Sequence, residues 1–416
     1  MIRPFYSLVM SGVQPLLRRK LRRRGVAEPG YLQHVDERFG IYPEPAEPGS
    51  IWVHAVSLGE TRAAAILLEE LRAQQPGARV LLTHGTATGR AEGERLLRPG
   101  DAQAWLPWDT PQAVGRFLDH FRPRAGVLME TEVWPNLAAG CLERGVPLVL
   151  ANARLSEKSM RQALRLARLA RPAYGALAAA WAQTDADARR LARVGAHVGG
   201  VFGNLKFDAA PDAQQLARGR GWRQQAGRPV VMFASSREGE EEALFQAIAP
   251  HRGSSAQWLV VPRHPQRFAE VGALAAHHGF TVSRRSGWND APQRADIWLG
   301  DSLGEMALYF GMADAALLGG SFEPLGGQNL IEAAACGCPV VMGPHTFNFA
   351  DAAQLAQEAG AALRVETMAQ GVDSALALAA NRERQGAMSA AGLAFAAAHR
   401  GAAEKTATAL LALVSP

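Results

Sequence analysis

Cysteine is scarce in this chain. The three present, Cys141, Cys336 and Cys338, are too few and too irregularly spaced for a disulfide framework or a zinc site, and a reducing compartment fits. No G-x-G-x-x-G follows the first candidate strand and no G-x-x-x-x-G-K-[ST] occurs anywhere. Dinucleotide redox chemistry and P-loop hydrolysis therefore both lack their signature.

Excess positive charge is missing from most of the chain as well. The formal net charge is +5, but Arg18, Arg19, Lys20, Arg22, Arg23 and Arg24 alone carry six, which leaves 5 − 6 = −1 for the remainder. A nucleic-acid partner needs basic residues spread over a folded face, so none is expected. Residues 1–17, MIRPFYSLVMSGVQPLL, are largely apolar but broken by Arg3, Pro4 and Pro15, and they fall short of the roughly 20 apolar residues a full span requires. The basic cluster follows them, the wrong order for a secretory signal, and no small-residue cleavage pattern comes after. Attachment to the near leaflet, with the arginines on anionic head groups, fits that order. A first helix docked on the body is the plainer alternative.

What the chain does have is length and rhythm. Its 416 residues exceed what one core usually organises, which points to two domains of roughly 200 residues. Hydrophobic content of 48% with 20% charged residues argues against disorder. From residue 51, short apolar runs alternate with helical patterns: 51–57, 80–85, 125–130, 147–152 and 179–184, then 229–235, 257–262, 295–300, 313–321 and 338–343. Runs this continuous are buried on both faces, so the expected class is α/β, two Rossmann-like halves with mainly parallel sheets. A Gly-, Pro- and Asp-containing stretch places the linker near 205–228. Ligands of such sheets bind beyond the carboxyl ends of the strands, so a cleft between the halves is where chemistry is expected.

Three strand-to-helix junctions stand out. In HAVSLGETRAAAILLEEL, Ser57 and Glu60 have the spacing of a capping box, yet a carboxylate at a strand end is also a candidate base. The helix dipole is expected to keep Glu60 ionised. In GVLMETEVWPNL, Glu130 and Glu132 are two apart, and in extended backbone both would face one way; charge at a helix start is the competing explanation. In ALLGGSFEPLGGQNLIEAAACG, Gly319, Gly320, Gly326 and Gly327 let backbone approach a ligand, with Asn329 and Glu332 on one helical face. Two further turns join the third junction: Ser235, Ser236 and Arg237 in ASSREGEE, and Arg263 and His264 in VVPRHPQRF. Ser235 with Glu238 reads as a second capping box. The single D-x-D, Asp185 and Asp187, opens a helix and needs no metal to explain it.

These motifs resemble the 3-deoxy-D-manno-oct-2-ulosonic acid (Kdo) transferase family, GT-B glycosyltransferases that add Kdo from CMP-Kdo to the lipid A precursor. The matching stretches are HAVSLGE, METEVWPNL, ARLSEKS, GNLKFD, ASSREGEE, PRHPQRF and GGSFEPLGGQNLIEAAACGCPVVMGPHTFNF, in family order between about residue 36 and about residue 350. The resemblance implies a membrane-associating helix and basic segment in 1–35, an acceptor-binding Rossmann-like domain in 36–205 and a CMP-sugar-binding Rossmann-like domain in 206–416. It implies an inverting transfer in lipopolysaccharide core biosynthesis, at the cytoplasmic face of the inner membrane. Carried over by position, Glu60 is the general base, and Glu130 or Glu132, with Lys206, supports acceptor or catalysis. Ser235, Ser236, Arg237, Arg263, His264, Gly320, Gly327, Asn329 and Glu332 hold the donor. CMP-Kdo, the lipid A precursor and an anionic membrane surface are the implied partners. No cofactor and no metal is expected, since CMP leaves with one phosphate that arginines can neutralise. Arg237 and Gln328 stand where the family often has histidine, and both retain hydrogen-bonding capacity. A nucleotide-sugar 2-epimerase or another envelope GT-B glycosyltransferase is the alternative, and the apolar N-terminus argues against the epimerase.

Overall fold

The computed structural model describes residues 2–251, 253 and 256–414. Met1 of the expected anchor and Ser415 and Pro416 of the expected second domain lie outside the described residues. The chain forms two compact units, Met1–Asp208 with Arg400–Pro416, and Ala209–His399.

The first unit holds seven strands: β1 (Ile51–His54), β2 (Val80–His84), β3 (Ala102–Trp105), β4 (Ala125–Met129), β5 (Leu148–Ala153), β6 (Ala179–Ala182) and β7 (Val198–Val201). They lie in the order β3-β2-β1-β4-β5-β6-β7, every pair parallel. In register, Val53 pairs with Leu82 on one side and Val127 on the other. Alternate residues feed opposite layers, as the pleat requires. Ile51, Val53, Val127 and Met129 join one core with Leu67, Leu68 and Leu71 of the helix Leu58–Gln74. Trp52 and Leu128 join the other with Phe117 and Leu118 of the helix Pro111–Phe121. Burying both faces is why these strands read as continuous apolar runs.

The second unit repeats the plan with β8 (Val230–Ser236), β9 (Gln257–Pro262), β10 (Val282–Arg284), β11 (Ile297–Leu299), β12 (Ala315–Leu318), β13 (Val340–Met342) and β14 (Ala362–Arg364). Their order is β10-β11-β9-β8-β12-β13-β14, again all parallel. Phe233, Val260 and Leu317 pack with Leu244 and Phe245 of the helix Glu240–Ile248 and Val372 of the helix Met368–Ala380.

Two boundaries differ from expectation. Most of the stretch expected as linker is a helix, Ala213–Gln225, whose start is capped by Asp212 through Gln214 and Gln215 N–H. It packs so closely on the helix Met306–Met312 that a Cβ on Gly219 would lie 2.1 Å from the Leu308 carbonyl oxygen. At the other end, the helix Ala402–Val414 returns to the first unit instead of finishing the second. Ala403, Ala407 and Leu410 complete the core beneath β1 and β4, and the Asp208 carboxylate accepts the Gly401 and Ala403 N–H groups at 2.5 and 2.7 Å. Its apolar stripe needs that core, and its first amides need that carboxylate.

The N-terminal residues form two helices, Ile2–Gly12 and Gln14–Ala27. The first docks by polar contacts: the Tyr6 hydroxyl donates to Asp109 and the Ser7 hydroxyl to Asn136, each at 2.9 Å. Its Ile2, Phe5, Leu8 and Val9 remain exposed. Among the described residues no helix is long and apolar enough to cross a membrane.

Candidate active site

The strand order of the first sheet reverses at β1, which opens a crevice beyond the carboxyl ends of β1 and β4. Glu60 follows β1, and Glu130 comes directly after β4. Ser57 caps the helix Leu58–Gln74 by accepting the Glu60 N–H, and its hydroxyl donates to Glu60 Oε1 at 3.0 Å. Glu60 Oε2 accepts from the Val56 N–H at 2.8 Å, so the capping box closes one residue earlier than in the standard form. The expectation that Glu60 stays ionised holds only in part, because its carboxylate titrates near neutrality. Burial pushes its pKa from 4.5 up to about 7, and repulsion from Glu130 and Glu132 adds to it, against the hydrogen bonds from Val56 and Ser57. A helix terminus contributes only about 1 kcal/mol to a nearby charge, and desolvation outweighs it.

Glu130 and Glu132 do not alternate along extended backbone as expected. Glu130 sits in the left-handed region at φ 59°, starting a turn in which Thr131 N–H bonds to the Met129 carbonyl. This strained conformation for a non-glycine residue is held in part by side chains. Glu130 is 5% exposed, with Arg154 Nε 2.8 Å from Oε2 and Lys206 Nζ 3.7 Å from Oε1. Glu132 is half-buried, accepts the Trp134 indole N–H at 2.8 Å, and has its pKa raised by burial. The turn thus brings both carboxylates within electrostatic reach of Glu60. Lys206, in the short helix Leu205–Asp208, belongs to this same cluster.

In the second unit the order reverses at β8, and the candidate donor residues gather beyond β8, β9 and β12. Ser235 is left-handed at φ 56°. The Ser236 hydroxyl is buried and donates to Glu241 Oε1 at 2.8 Å, so it faces the wall of the site. The helix expected to be capped by Ser235 starts later, at Glu240, after Gly239 with φ 88°. Glu240 is fully buried, and its carboxylate accepts N–H groups from Arg237 (2.9 Å), Gly320 (2.7 Å), Phe322 (3.0 Å) and Glu323 (3.4 Å). The Gly320 amide is therefore committed within the protein. Close approach at the glycines is also partly internal: a Cβ on Gly319 would lie 2.2 Å from the Ser235 carbonyl oxygen. Gly327, at φ 74°, donates its N–H to the Gly320 carbonyl at 2.6 Å. Asn329 caps the helix Leu330–Ala335 through Ile331 N–H, with Glu332 in the first turn.

Positive charge collects on the β9 side. Arg263 N–H bonds to the Ser236 carbonyl at 3.0 Å, and Arg267 donates to Glu241 at 2.7 Å and Glu270 at 2.8 Å. Burial, then the guanidinium of Arg237, depresses the His264 pKa, with Arg263 and Arg267 also acting on it. Four cationic or donor side chains thus share one edge, a fitting surface for a phosphate. Asp187, by contrast, is buried with its oxygens taken by Leu155 N–H, Arg190 and Thr184. Among the described residues no group of three or more His, Cys, Asp or Glu gathers in a metal-binding arrangement.

A family model for 3-deoxy-D-manno-octulosonic-acid transferase (kdotransferase) matches residues 33–209. The chain is 48% identical to the 3-deoxy-D-manno-octulosonic acid transferase of Bordetella pertussis over 98% of both chains. It is 32% identical to that of Haemophilus influenzae, covering 100% of this chain and 99% of the relative. The chain belongs to the Kdo transferase family. It is accordingly a glycosyltransferase. Solved structures resembling it include a UDP-GlcNAc 2-epimerase from Neisseria meningitidis bound to UDP-GlcNAc, with TM-score 0.58 and 13% identity over 87% of this chain and 99% of that one. A glycosyltransferase from Rickettsia africae gives TM-score 0.57 and 12% identity over 89% and 100%. At such identity the likeness concerns the fold, two Rossmann-like units of the GT-B type.

Several residues of this Kdo transferase family member escape sequence reasoning. Arg154 lies in the ARLSEKS stretch, Glu240 and Glu241 in ASSREGEE and Arg267 in PRHPQRF, so each was within a legible motif. Their roles depend on partners from 24 to 83 residues away in the chain, which spacing does not reveal.

Proposed function

We propose that the protein transfers Kdo from CMP-Kdo to the lipid A precursor with inversion, at the cytoplasmic face of the inner membrane. The observation that carries this reading is Glu60, half-buried at the β1–β4 crevice with a pKa pushed up to about 7. A base is most effective when its pKa lies near the working pH. Glu60 takes the proton from an acceptor sugar hydroxyl as that oxygen attacks the anomeric carbon of Kdo. The bond from that carbon to the CMP phosphate breaks, CMP leaves with the electron pair, and a single displacement inverts the centre. Glu130, tied to Arg154 and Lys206, stays in place and keeps Glu60 poised near neutrality. Arg237 and Arg263, with Arg267 behind them, supply the positive field for the CMP phosphate and the Kdo carboxylate, and His264, kept neutral by burial and these arginines, offers a hydrogen bond, so the reading calls for no metal. Ser235, Gly320, Gly327, Asn329 and Glu332 shape the nucleoside end of that site.

A lipid acceptor is supported by the exposed Ile2, Phe5, Leu8 and Val9 and by the basic residues that follow them, an arrangement suited to an anionic bilayer surface. The test is incubation of the purified protein with CMP-Kdo and a tetra-acylated lipid A precursor, with product mass as readout. Products heavier by Kdo, together with released CMP, are expected from wild type, and loss of both from Glu60→Gln with donor binding intact. Epimerised donor without lipid product would overturn the reading.

A further inference from the structure

The chain has nine tryptophans, and Trp134 is the one whose side chain stands out as exposed, at 36%. Seven others are buried, and Trp108 is partly covered. An exposed indole is unfavourable in water unless something covers it in use. This one is also fixed. Its N–H donates to Glu132 Oε2 at 2.8 Å, and the residue precedes Pro135, which restricts its backbone to the extended region seen at φ −111°, ψ 129°. It then forms the first corner of the helix Pro135–Glu143. A ring held by its edge presents its faces with little rotamer entropy left to lose on binding.

Its place gives the ligand class. β1 and β4 are paired neighbours, with Glu60 in the first turn of the helix after β1 and Glu132 three residues beyond β4, so Glu132, which holds the ring, lies at the same sheet edge as Glu60. A flat apolar surface beside hydrogen-bonding carboxylates matches the two sides of a pyranose ring, C–H groups on its face and hydroxyls on its rim. We propose that Trp134 is the stacking platform for the acceptor's sugar ring, with Glu132 orienting both the indole and a hydroxyl of that sugar, so that the attacking oxygen is delivered to Glu60. This rests on the reading of Glu60 as base in a sugar transfer. It adds a residue that determines acceptor binding without taking part in proton transfer.

The experiment compares wild type, Trp134→Phe and Trp134→Ala with two acceptors, the tetra-acylated lipid A precursor in detergent and its fully deacylated sugar backbone. Trp134→Ala is expected to raise the acceptor KM about tenfold for both, with kcat and the donor KM little changed, while Trp134→Phe keeps a smaller aromatic face and loses less. The deacylated acceptor should also shield wild type from acrylamide quenching of tryptophan fluorescence, and this protection should be absent in Trp134→Phe. An unchanged KM for the deacylated acceptor would overturn the proposal, and a defect confined to the acylated one would assign Trp134 to the lipid or bilayer instead. Melting curves identify a variant that fails to fold, in which case the quenching of Trp134→Phe decides. Wild type inactive on both acceptors would instead sink the underlying sugar-transfer reading.

Discussion

The pH dependence of transfer follows directly from the surroundings of Glu60. With its pKa pushed up to about 7, the carboxylate fraction is about 91% at pH 8 and about 9% at pH 6, so kcat/KM should fall about tenfold over that interval. An unburied Glu60 with its ordinary value of 4.5 would be almost fully ionised at both, and the profile would be flat within about 5%. The assay is initial-rate release of CMP at saturating donor and low acceptor, from pH 5.5 to 8.5 at constant ionic strength. Glu60→Gln should lose about 100- to 10,000-fold in rate at pH 8, and what remains should lack the acid limb. Glu130→Gln removes a charge that raises the Glu60 pKa and leaves Arg154 and Lys206 unopposed, so its acid limb should move to lower pH. A flat wild-type profile, or an acid limb that persists in Glu60→Gln, would refute the assignment of Glu60 as the base.

Three further outcomes are expected. Because the folded-state pKa of Glu60 lies above its unfolded value, the native state holds the extra proton, and the stability it contributes is present below pH 4.5 and lost as pH rises through about 7. Glu60→Gln should therefore melt with wild type near pH 4.5 but be more stable by about 1–2 kcal/mol at pH 8, allowing for residual solvent screening. Glu240→Gln turns an amide NH2 toward two of the N–H groups that its carboxylate now accepts, and it should destabilise by about 2–3 kcal/mol and weaken CMP binding measured calorimetrically. Gly219→Ala would force a methyl group to within 2.1 Å of the Leu308 carbonyl and should cost about 1–3 kcal/mol in denaturant unfolding, reflecting helix separation in the second unit.

The ten strands legible in the sequence are the interior strands of the two sheets, and the four that escaped notice are all edges: β3, β7, β10 and β14. Interior strands such as β1 and β4 bury every residue, which leaves an unbroken apolar run. Edge strands bury only part of theirs, as in β7, where half-buried and exposed residues alternate, and their runs are correspondingly short and polar. Strand-end positions of Glu60, Glu130, Ser235 and Arg263 were legible for the same reason, since Ser235 lies at the end of such a strand and the other three follow one. The return of the helix Ala402–Val414 to the first unit was not, because what holds it there, the core beneath β1 and β4 and the carboxylate of Asp208, lies 193 residues or more away in the chain.

The sequence by itself determined the α/β class, the candidate junctions and the family, because continuous apolar runs and local motifs are properties of neighbouring residues. Tertiary structure alone decided the protonation of Glu60. Capping and helix dipole are local and favour the carboxylate, whereas the burial and the Glu130 and Glu132 charges that oppose them arise only when β1 and β4 lie side by side. The same adjacency turned two acids two residues apart into an ion-paired clamp and an indole anchor, through the left-handed turn at Glu130.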